Sequence, residues 1–579
     1  MTESLRSASW FGPRDLGGFI HRTSIRAEGF SSGSLAGKPV IGICNSWSEL
    51  VSCNLHFRAL AEAVKRGVWE AGGFPLEFST ISLGENLMKP TAMMFRNLMA
   101  MDVEESIRAY PLDGVVLLGG CDKTVPAQLM GAVSVGLPTI MVTGGPSQPA
   151  VFRGHRLGSG TDLWRYADDV RAGRMSPEEF SELEAAAIPS VGHCPEMGTA
   201  ATMACLVEAL GLSLPGTAAI PAVDARRFAS AEATGRRAVQ LVREDLRPSQ
   251  VLTSEAFDNA ITALVGLGGS TNAVLHLLAL AGRAGVGLEL RRFGEIAAKV
   301  PLLANLRPAG QHLFEQLFEV GGVPALMRVL LPLLARDAVG VDGRSVAERV
   351  DGAPDPDGNV LAKLEDPFKG PGGLAVLSGN LAPRGAIIKR SAASGRFDRH
   401  RGPALVFDDI HEAAERIDAP DLDVTADTVL ILRNAGPRGG PGMPEWAALP
   451  IPAKLLRQGV TDMVRISDAR MSGTAFGTVI LHVTPEASVG GPLGAVRTGD
   501  QIILDLDAGR LDVDLEPDVL EQRMVAAPER RRPYERGYGR LFLDHVLQAD
   551  EGCDFDFLRG RGPAQTLPLG LHDGWIGGW

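Results

Sequence analysis

From residue 38 onward, short β-branched and apolar runs alternate with longer stretches whose apolar positions recur at helical spacing. The runs cover 39–44, 74–82, 114–118 and 139–142, and the helical stretches 55–71, 91–110 and 125–135, which predicts a βαβαβαβ order. The segments VVLL and TIMV are almost wholly apolar, as parallel strands covered on both faces by crossover helices should be. A doubly wound parallel sheet follows. Helical periodicity is also read over 197–210 and 260–283 and continues to about 335. The first part of the chain is therefore expected to be a parallel-sheet α/β domain with extra helices.

From about Gly373 the texture changes to short strands: LAVLSG, ALVFDD, TVLILRN, MVRIS, TVILHV and IILDLDAGRLDVDL. In the last of these Leu504, Leu506, Leu511, Val513 and Leu515 alternate with polar residues about Asp507-Ala508-Gly509, a hairpin signature. Many short strands with Gly/Pro-rich connections predict a β-barrel or sandwich as the second domain. The Asp/Pro/Gly-rich stretch 351–373 is the expected boundary, giving domains over 1–370 and 371–579. The tail 573–579, with three glycines and two tryptophans, reads as a mobile end or a plug for a neighbouring subunit.

Composition adds limits. A chain of 579 residues that is 45% hydrophobic and 22% charged can bury large cores. With a net charge of −12 and no dense Lys/Arg run, it has no basic surplus for nucleic acid or anionic membrane. No apolar run approaches the roughly 20 residues of a membrane helix. Residues 1–20 carry Glu3, Arg6, Arg14 and Asp15 without a continuous apolar core, unlike a secretory signal. A cytoplasmic enzyme is expected.

Ligands of open α/β sheets bind beyond the carboxyl ends of the strands. Those ends carry Asn45 and Cys53-Asn54, then Glu85-Asn86, then Gly119 to Thr124 with Cys121, Asp122 and Lys123, then Thr143 to Pro146. Six cysteines without a CxxC pair are too few for a disulfide framework, and Cys44, Cys205 and Cys553 read as core or incidental residues. Cys194, in SVGHCPEMGT, precedes a helical segment whose end amides favour a thiolate. Three thiolates at Cys53, Cys121 and Cys194 would leave an open Lewis-acid position on a cluster iron; zinc, or plain burial of each cysteine, are the alternatives.

Glu85 and Asp122 offer hard oxygen ligands for Mg²⁺, and Glu445 in GGPGMPEW is a third, unless that glycine-rich stretch is only a flexible surface connection. Lys123 itself reads as a phosphate or carboxylate binder. GLGGSTNAV (266–274) opens a helix and would either present amides to an anion or be capped by Ser270 or Thr271. SDARMSGTAFG (467–477) lies between two strands of the second domain, and Ser472 there is a candidate nucleophile or base, or simply a turn former.

These motifs, PVIGICNSWSELVSCN, GENLMKPTAMMFRN, LLGGCDKTVPAQLMGA, GGSTNAVLHLLA, SGNLAPRGA, GGPGMPE and VRISDARMSGTAFGTV, occur in order over nearly the whole chain. In them the chain resembles the dihydroxy-acid and phosphogluconate dehydratase family, most closely its sugar-acid branch of arabinonate and xylonate dehydratases. The resemblance implies a 2Fe–2S cluster on Cys53, Cys121 and Cys194, and Mg²⁺ surrounded by Glu85, Asp122, Glu445 and a carbamylated Lys123. It further implies that Ser472, as alkoxide and with Thr474 close by, takes the C2 proton of an aldonate. Cluster iron would polarise the departing C3 hydroxyl, and a 2-keto-3-deoxy acid would form.

An α/β domain carrying cluster and Mg²⁺ ligands, a β-barrel domain delivering Ser472 and Glu445, and a homodimer or homotetramer complete that expectation. TAMMFRN, DARMSGTAFG and Trp10-Phe11-Gly12 look like the sugar-acid branch, whereas the flanks of Cys53 and Cys194 depart from its arabinonate and xylonate members, leaving the sugar open. Other readings are a dihydroxy-acid dehydratase of branched-chain amino-acid synthesis and a non-catalytic iron–sulfur sensor or sugar-acid-binding protein.

Overall fold

The computed structural model describes residues 5–31, 33–35, 37–446, 448–525 and 533–560; the tail 573–579 lies outside them. Strands β1 (Val40–Asn45), β2 (Phe74–Ser79), β3 (Gly114–Gly119) and β4 (Thr139–Thr143) alternate with helices α1 (Phe57–Glu70), α2 (Arg96–Ala109) and α3 (Thr124–Val135). The sheet order is β2-β1-β3-β4, every pair parallel. Every residue of β1 and β3 is buried, which accounts for their unbroken apolar character. The chain runs from β1 to β2 on one side and then crosses to β3 on the other. Its connections diverge between β1 and β3, and a crevice opens there at the carboxyl ends.

Between β4 and the next core helix the chain builds a small segment that periodicity did not separate. It holds a hairpin (Ala150–Phe152 with His155–Leu157), helix α4 (Thr161–Arg171) and the helix Pro177–Glu184 around a separate cluster that includes Phe152, Leu157 and Leu183. Helices α5 (Thr199–Ala209) and α6 (Ala225–Glu244) return to the main core, where α6 packs on α1 and α3 on α2. The stretch read as one helix over 260–283 is two, α7 (Ser254–Gly266) and α8 (Asn272–Ala284). The glycine pair 268–269 turns the chain between them.

The second sheet has eight strands: β5 (Ala375–Leu377), β6 (Gly385–Ile388), β7 (Arg399–Phe407), β8 (Val429–Leu432), β9 (Arg465–Ser467), β10 (Val479–Thr484), β11 (Gln501–Asp505) and β12 (Arg510–Val513). Their order is β12-β11-β7-β8-β9-β10-β6-β5. The ends approach each other: Ser378 N–H donates to Gly509 O at 2.8 Å and Leu511 N–H to Ser378 O at 2.9 Å, so the sheet curls into a nearly closed barrel. The hairpin foreseen about 507–509 is β11–β12, with Asp505 opposite Arg510.

Alternation along β8 sends Val429 and Ile431 into the barrel interior, and Leu430 and Leu432 into a second apolar cluster outside it. A strand covered on both faces reads as one apolar run, which is the pattern of TVLIL. Contrary to a hairpin-only barrel, β7, β8, β9 and β10 pair in parallel. The loops after β8 and β9 consequently leave from the same end, side by side.

Residues of the chain's last described stretch return to the first lobe. Phe542 and Phe555 pack with Met93, Met94 and Leu275, and the fully buried Arg283 pairs with Glu104 and Asp554. Among the described residues no helix is long and apolar enough to cross a membrane.

Candidate active site

The loops after β1 and β3 lie directly on each other because residue 120 is glycine. A Cβ there would stand 2.8 Å from Cys53 O, Asn54 Oδ1 and the Phe57 ring. That close approach puts Cys121 beside Cys53. The third cysteine is fastened to the end of β4: His193 N–H donates to Gly145 O at 3.0 Å, and Ser147 N–H to His193 O at 2.8 Å. The thiols of Cys53, Cys121 and Cys194 thus line one cleft of about 520 Å³, together with Glu85, Asp122, Glu445, Ser472 and Thr474.

The Cys121 thiol is raised by its hydrogen bond with Cys53, then by burial. Cys194 is open to the cleft, yet burial among neighbouring atoms raises its thiol, and the charge of Glu196 adds to this. The expected thiolate-stabilising helix end is not what surrounds Cys194: Glu196 lies between it and α5, accepting Gly160 N–H at 2.6 Å and Thr161 N–H at 3.0 Å. Such thiols ionise when a cation takes the place of the proton. Asn45 and Asn54 serve the scaffold, donating to Glu77 at 2.8 Å and Ser82 at 2.8 Å.

Beside the thiols, carboxylate oxygens of Glu85, Asp122 and Glu445 all lie within 4.8 Å of one another. Fully buried Lys123 places its ammonium among them, in contact with Asp122, 2.9 Å from Glu85 and 3.3 Å from Glu445. Burial and Arg470 pull the Lys123 ammonium down, but Asp122, Glu85 and Glu445 outweigh them and hold it above the usual lysine range. Burial pushes Glu85 up; Lys123, Arg470 and a 2.5 Å hydrogen bond from Thr91 overcome this and hold it at about 2.

Three carboxylates clustered around one position form a donor set suited to a hard divalent ion. Three thiols on the adjoining wall suit an iron–sulfur cluster. The residues present fit both groups. Lys123 does pair with carboxylates, though they belong to the protein itself.

Glu445 reaches the first lobe from the β8 loop. At Gly442 (φ +86°) a Cβ would lie 2.5 Å from Met94 N, so the loop packs against the short turn of helix Ala92–Phe95 that follows Glu85. It is ordered and buried at Gly442 and Met443, not a loose connection. Two side chains that the sequence reading passed over hold Glu445 in place. Arg470, fully buried, donates to Glu445 at 2.9 Å, Thr91 Oγ1 at 3.0 Å and Met443 O at 2.7 Å. Asn272 Nδ2 is within 3.1 Å of Glu445 Oε1, 3.0 Å of Thr199 Oγ1 and 3.2 Å of Met471 O.

The GGSTN turn is therefore a brace between lobes. Thr271 makes no side-chain cap, while Ser270 Oγ accepts Asn272 N–H at 3.2 Å and pairs with Thr199 Oγ1 at 2.9 Å. Ser270, one position before the N-cap Thr271, thus holds the first amide of α8.

The β9 loop brings Ser472 to the opposite wall, with Thr474 Oγ1 2.9 Å from its Oγ and Thr474 N–H at 3.4 Å. Among the described residues no imidazole or carboxylate hydrogen-bonds to Ser472. All nine residues singled out from the sequence, Cys53, Glu85, Cys121, Asp122, Lys123, Cys194, Glu445, Ser472 and Thr474, meet at this cleft or, for Lys123, directly beneath it.

Residues 38–349 match the dihydroxy-acid/6-phosphogluconate dehydratase N-terminal family model, and residues 359–553 its C-terminal counterpart. The L-arabonate dehydratase of Azospirillum brasilense is 50% identical over 573 residues, covering 97% of this chain and 98% of the relative. The 6-deoxy-6-sulfo-D-gluconate dehydratase of Pseudomonas putida is 48% identical over 98% of both chains. A dihydroxy-acid dehydratase of Ignicoccus hospitalis is 40% identical over 93% of this chain and 98% of its own length. The chain belongs to the dihydroxy-acid/6-phosphogluconate dehydratase family of hydro-lyases.

Proposed function

We propose that the protein dehydrates a 2,3-dihydroxy sugar acid, a pentonate or hexonate, to the corresponding 2-keto-3-deoxy acid. The observation that carries this reading is the meeting, in one cleft, of three thiols, three clustered carboxylates and a serine delivered from the barrel. Identity of 50% and 48% to dehydratases named for arabonate and sulfogluconate, against 40% to the dihydroxy-acid dehydratase, favours a sugar acid over the branched-chain precursor.

In this reading residues 1–370 carry Cys53, Cys121, Cys194 and most of the Mg²⁺ ligands, and residues 371–579 bring Glu445 and Ser472 across the cleft. When bound, a 2Fe–2S cluster on the three cysteines, and Mg²⁺ on Glu85, Asp122, Glu445 and a carbamylated Lys123, supply Lewis acidity for the leaving hydroxyl and the charge developing at the acid end. Carbamylation would turn the Lys123 ammonium into an oxygen donor. Ser472 Oγ takes the proton from C2, the electron pair left behind forms the C2–C3 double bond, and the C3 hydroxyl departs. The enol then tautomerises to the 2-keto acid. Arg470 and Asn272 keep Glu445 turned toward the carboxylate cluster throughout.

The test is a panel of pentonates, hexonates, a 6-sulfo-hexonate and dihydroxyisovalerate offered to cluster-loaded enzyme with Mg²⁺. Turnover of one or more aldonates above dihydroxyisovalerate is expected. Activity confined to dihydroxyisovalerate overturns the choice of substrate class, and no dehydration of any member overturns the enzymatic reading.

A further inference from the structure

The segment between β4 and α5 reaches the cleft through the first turn of α4, and what it touches there is Thr474. A Cβ at Gly160 would come within 2.3 Å of Thr474 Oγ1, and one at Gly198 within 3.1 Å of its Cγ2, so the threonine is held between two backbone surfaces. Thr161 Oγ1 donates to Thr474 O at 2.8 Å, and Trp164 Nε1–H donates to Thr474 Oγ1 at 3.2 Å. An indole N–H can only donate, and a threonine hydroxyl carries one proton and two acceptor lone pairs. Trp164 engages one lone pair of Oγ1, and the Thr474 hydroxyl keeps a second lone pair and its proton for Ser472 Oγ, 2.9 Å away; as an alkoxide Ser472 Oγ can only accept, and Thr474 is then the donor. Thr474 N–H points to the same Ser472 oxygen at 3.4 Å.

We infer that Trp164 is a positioning residue for the dehydration: its indole N–H anchors Thr474 Oγ1 and polarises the Thr474 O–H, which makes it a better donor to Ser472 Oγ when that oxygen is ionised. This rests on the reading of Ser472 as the base. A serine oxygen that carries negative charge can accept from both the Thr474 hydroxyl and the Thr474 N–H, and bonds to a charged acceptor are roughly twice as strong as neutral ones. Without the indole donor the Thr474 hydroxyl is free to rotate away, and its O–H is a weaker donor to the ionised serine. The segment carrying α4 would thereby complete the base when it is seated on the barrel loop.

The test uses cluster-loaded enzyme with Mg²⁺ and whichever aldonate it turns over fastest. Trp164→Phe, which keeps an aromatic ring and removes the N–H, is expected to lower kcat roughly ten-fold with KM unchanged, the size of one lost hydrogen bond to a developing charge. With C2-deuterated substrate the isotope effect on kcat should rise, because proton removal becomes more rate-limiting. Thr474→Ser should keep most of the activity, and Trp164→Phe placed on Thr474→Val should cost nothing further, since the relay is already cut. Replacing Trp164 by 3-benzothienylalanine keeps the ring's shape without its N–H and should match Trp164→Phe, which reads the relay even if phenylalanine disturbs packing.

A rise in KM at unchanged kcat, or an equal loss in the Thr474→Val background, overturns the relay and leaves Trp164 as cleft wall. Ser472→Ala retaining full turnover is a different failure: it removes the base reading itself, whatever Trp164→Phe does.

Discussion

Arg470 supports a prediction that separates electrostatics from shape. Its guanidinium is fully buried, 2.9 Å from a Glu445 oxygen and 3.9 Å from a Glu85 oxygen. At an effective dielectric of about 20 these distances correspond to attractions of about 6 and about 4 kcal/mol. Desolvation of the guanidinium and repulsion from Lys123 cancel most of that gain, as is usual for buried ion pairs. Removing the buried guanidinium leaves two partly buried carboxylates short of a cation, and the roughly 3–5 kcal/mol typical of a broken buried pair is the upper bound of the cost.

Arg470→Met in metal-free protein should therefore shift the urea midpoint down by about 0.5 M, given a slope that grows with chain length to the order of 6 kcal/mol per M. Saturating Mg²⁺ supplies charge to the same carboxylates, so the shift should shrink when the ion is present. Arg470→Lys, which keeps the charge and loses the fork that spans Glu445 and Thr91, should fall between. The assay is urea unfolding followed by circular dichroism, with and without Mg²⁺. An unchanged midpoint in Arg470→Met, or an identical loss in both conditions, would refute the reasoning.

Three further outcomes follow from the same geometry. Cys121→Ser should abolish the visible cluster absorbance and turnover together, and a colourless variant with full activity would rule out the cluster assignment. Glu85 sits at about 2 in the folded protein against an ordinary 4.5, so the unfolded chain takes up the proton first. The stability this carboxylate contributes is complete above about pH 5 and drains as pH falls toward 2; in metal-free Glu85→Gln that part of the acid limb of midpoint against pH should flatten. Asn272→Ala should lower kcat by roughly ten-fold through a misdirected Glu445 while leaving cluster absorbance intact, measured by steady-state kinetics beside the visible spectrum.

Much of the scaffold was legible because burial on both faces leaves a plain trace. The apolar runs at 114–118 and 139–142 have the pattern of covered parallel strands, which places Cys53 and Cys121 on one edge of the sheet. Parallel pairing inside the barrel was not legible, since β8, β9 and β10 are short and read the same whichever way they pair. With it went the reason that Glu445 and Ser472 arrive together.

Arg470 and Asn272 escaped for another reason: their partners are Thr91, Glu445 and Met471, as much as 379 residues away, and nothing in SDARMSG or GGSTN signals such distant bonds. Trp164 lies in a segment whose cluster is too small to stamp a period on the sequence. The raised Cys194 thiol depends first on burial and then on the charge of Glu196, and both come from placement in the fold.

In the proposed site the barrel's serine completes a dehydration centre whose metal-binding side chains belong mainly to the α/β part of the chain. The most direct measurement is product formation by cluster-loaded wild type and Ser472→Ala, each with Mg²⁺ and the same pentonate in D₂O, read by NMR. The account predicts a 2-keto-3-deoxy acid carrying solvent deuterium at C3 from the wild type, and none from the variant despite an unchanged cluster spectrum. Equal product from both would contradict it.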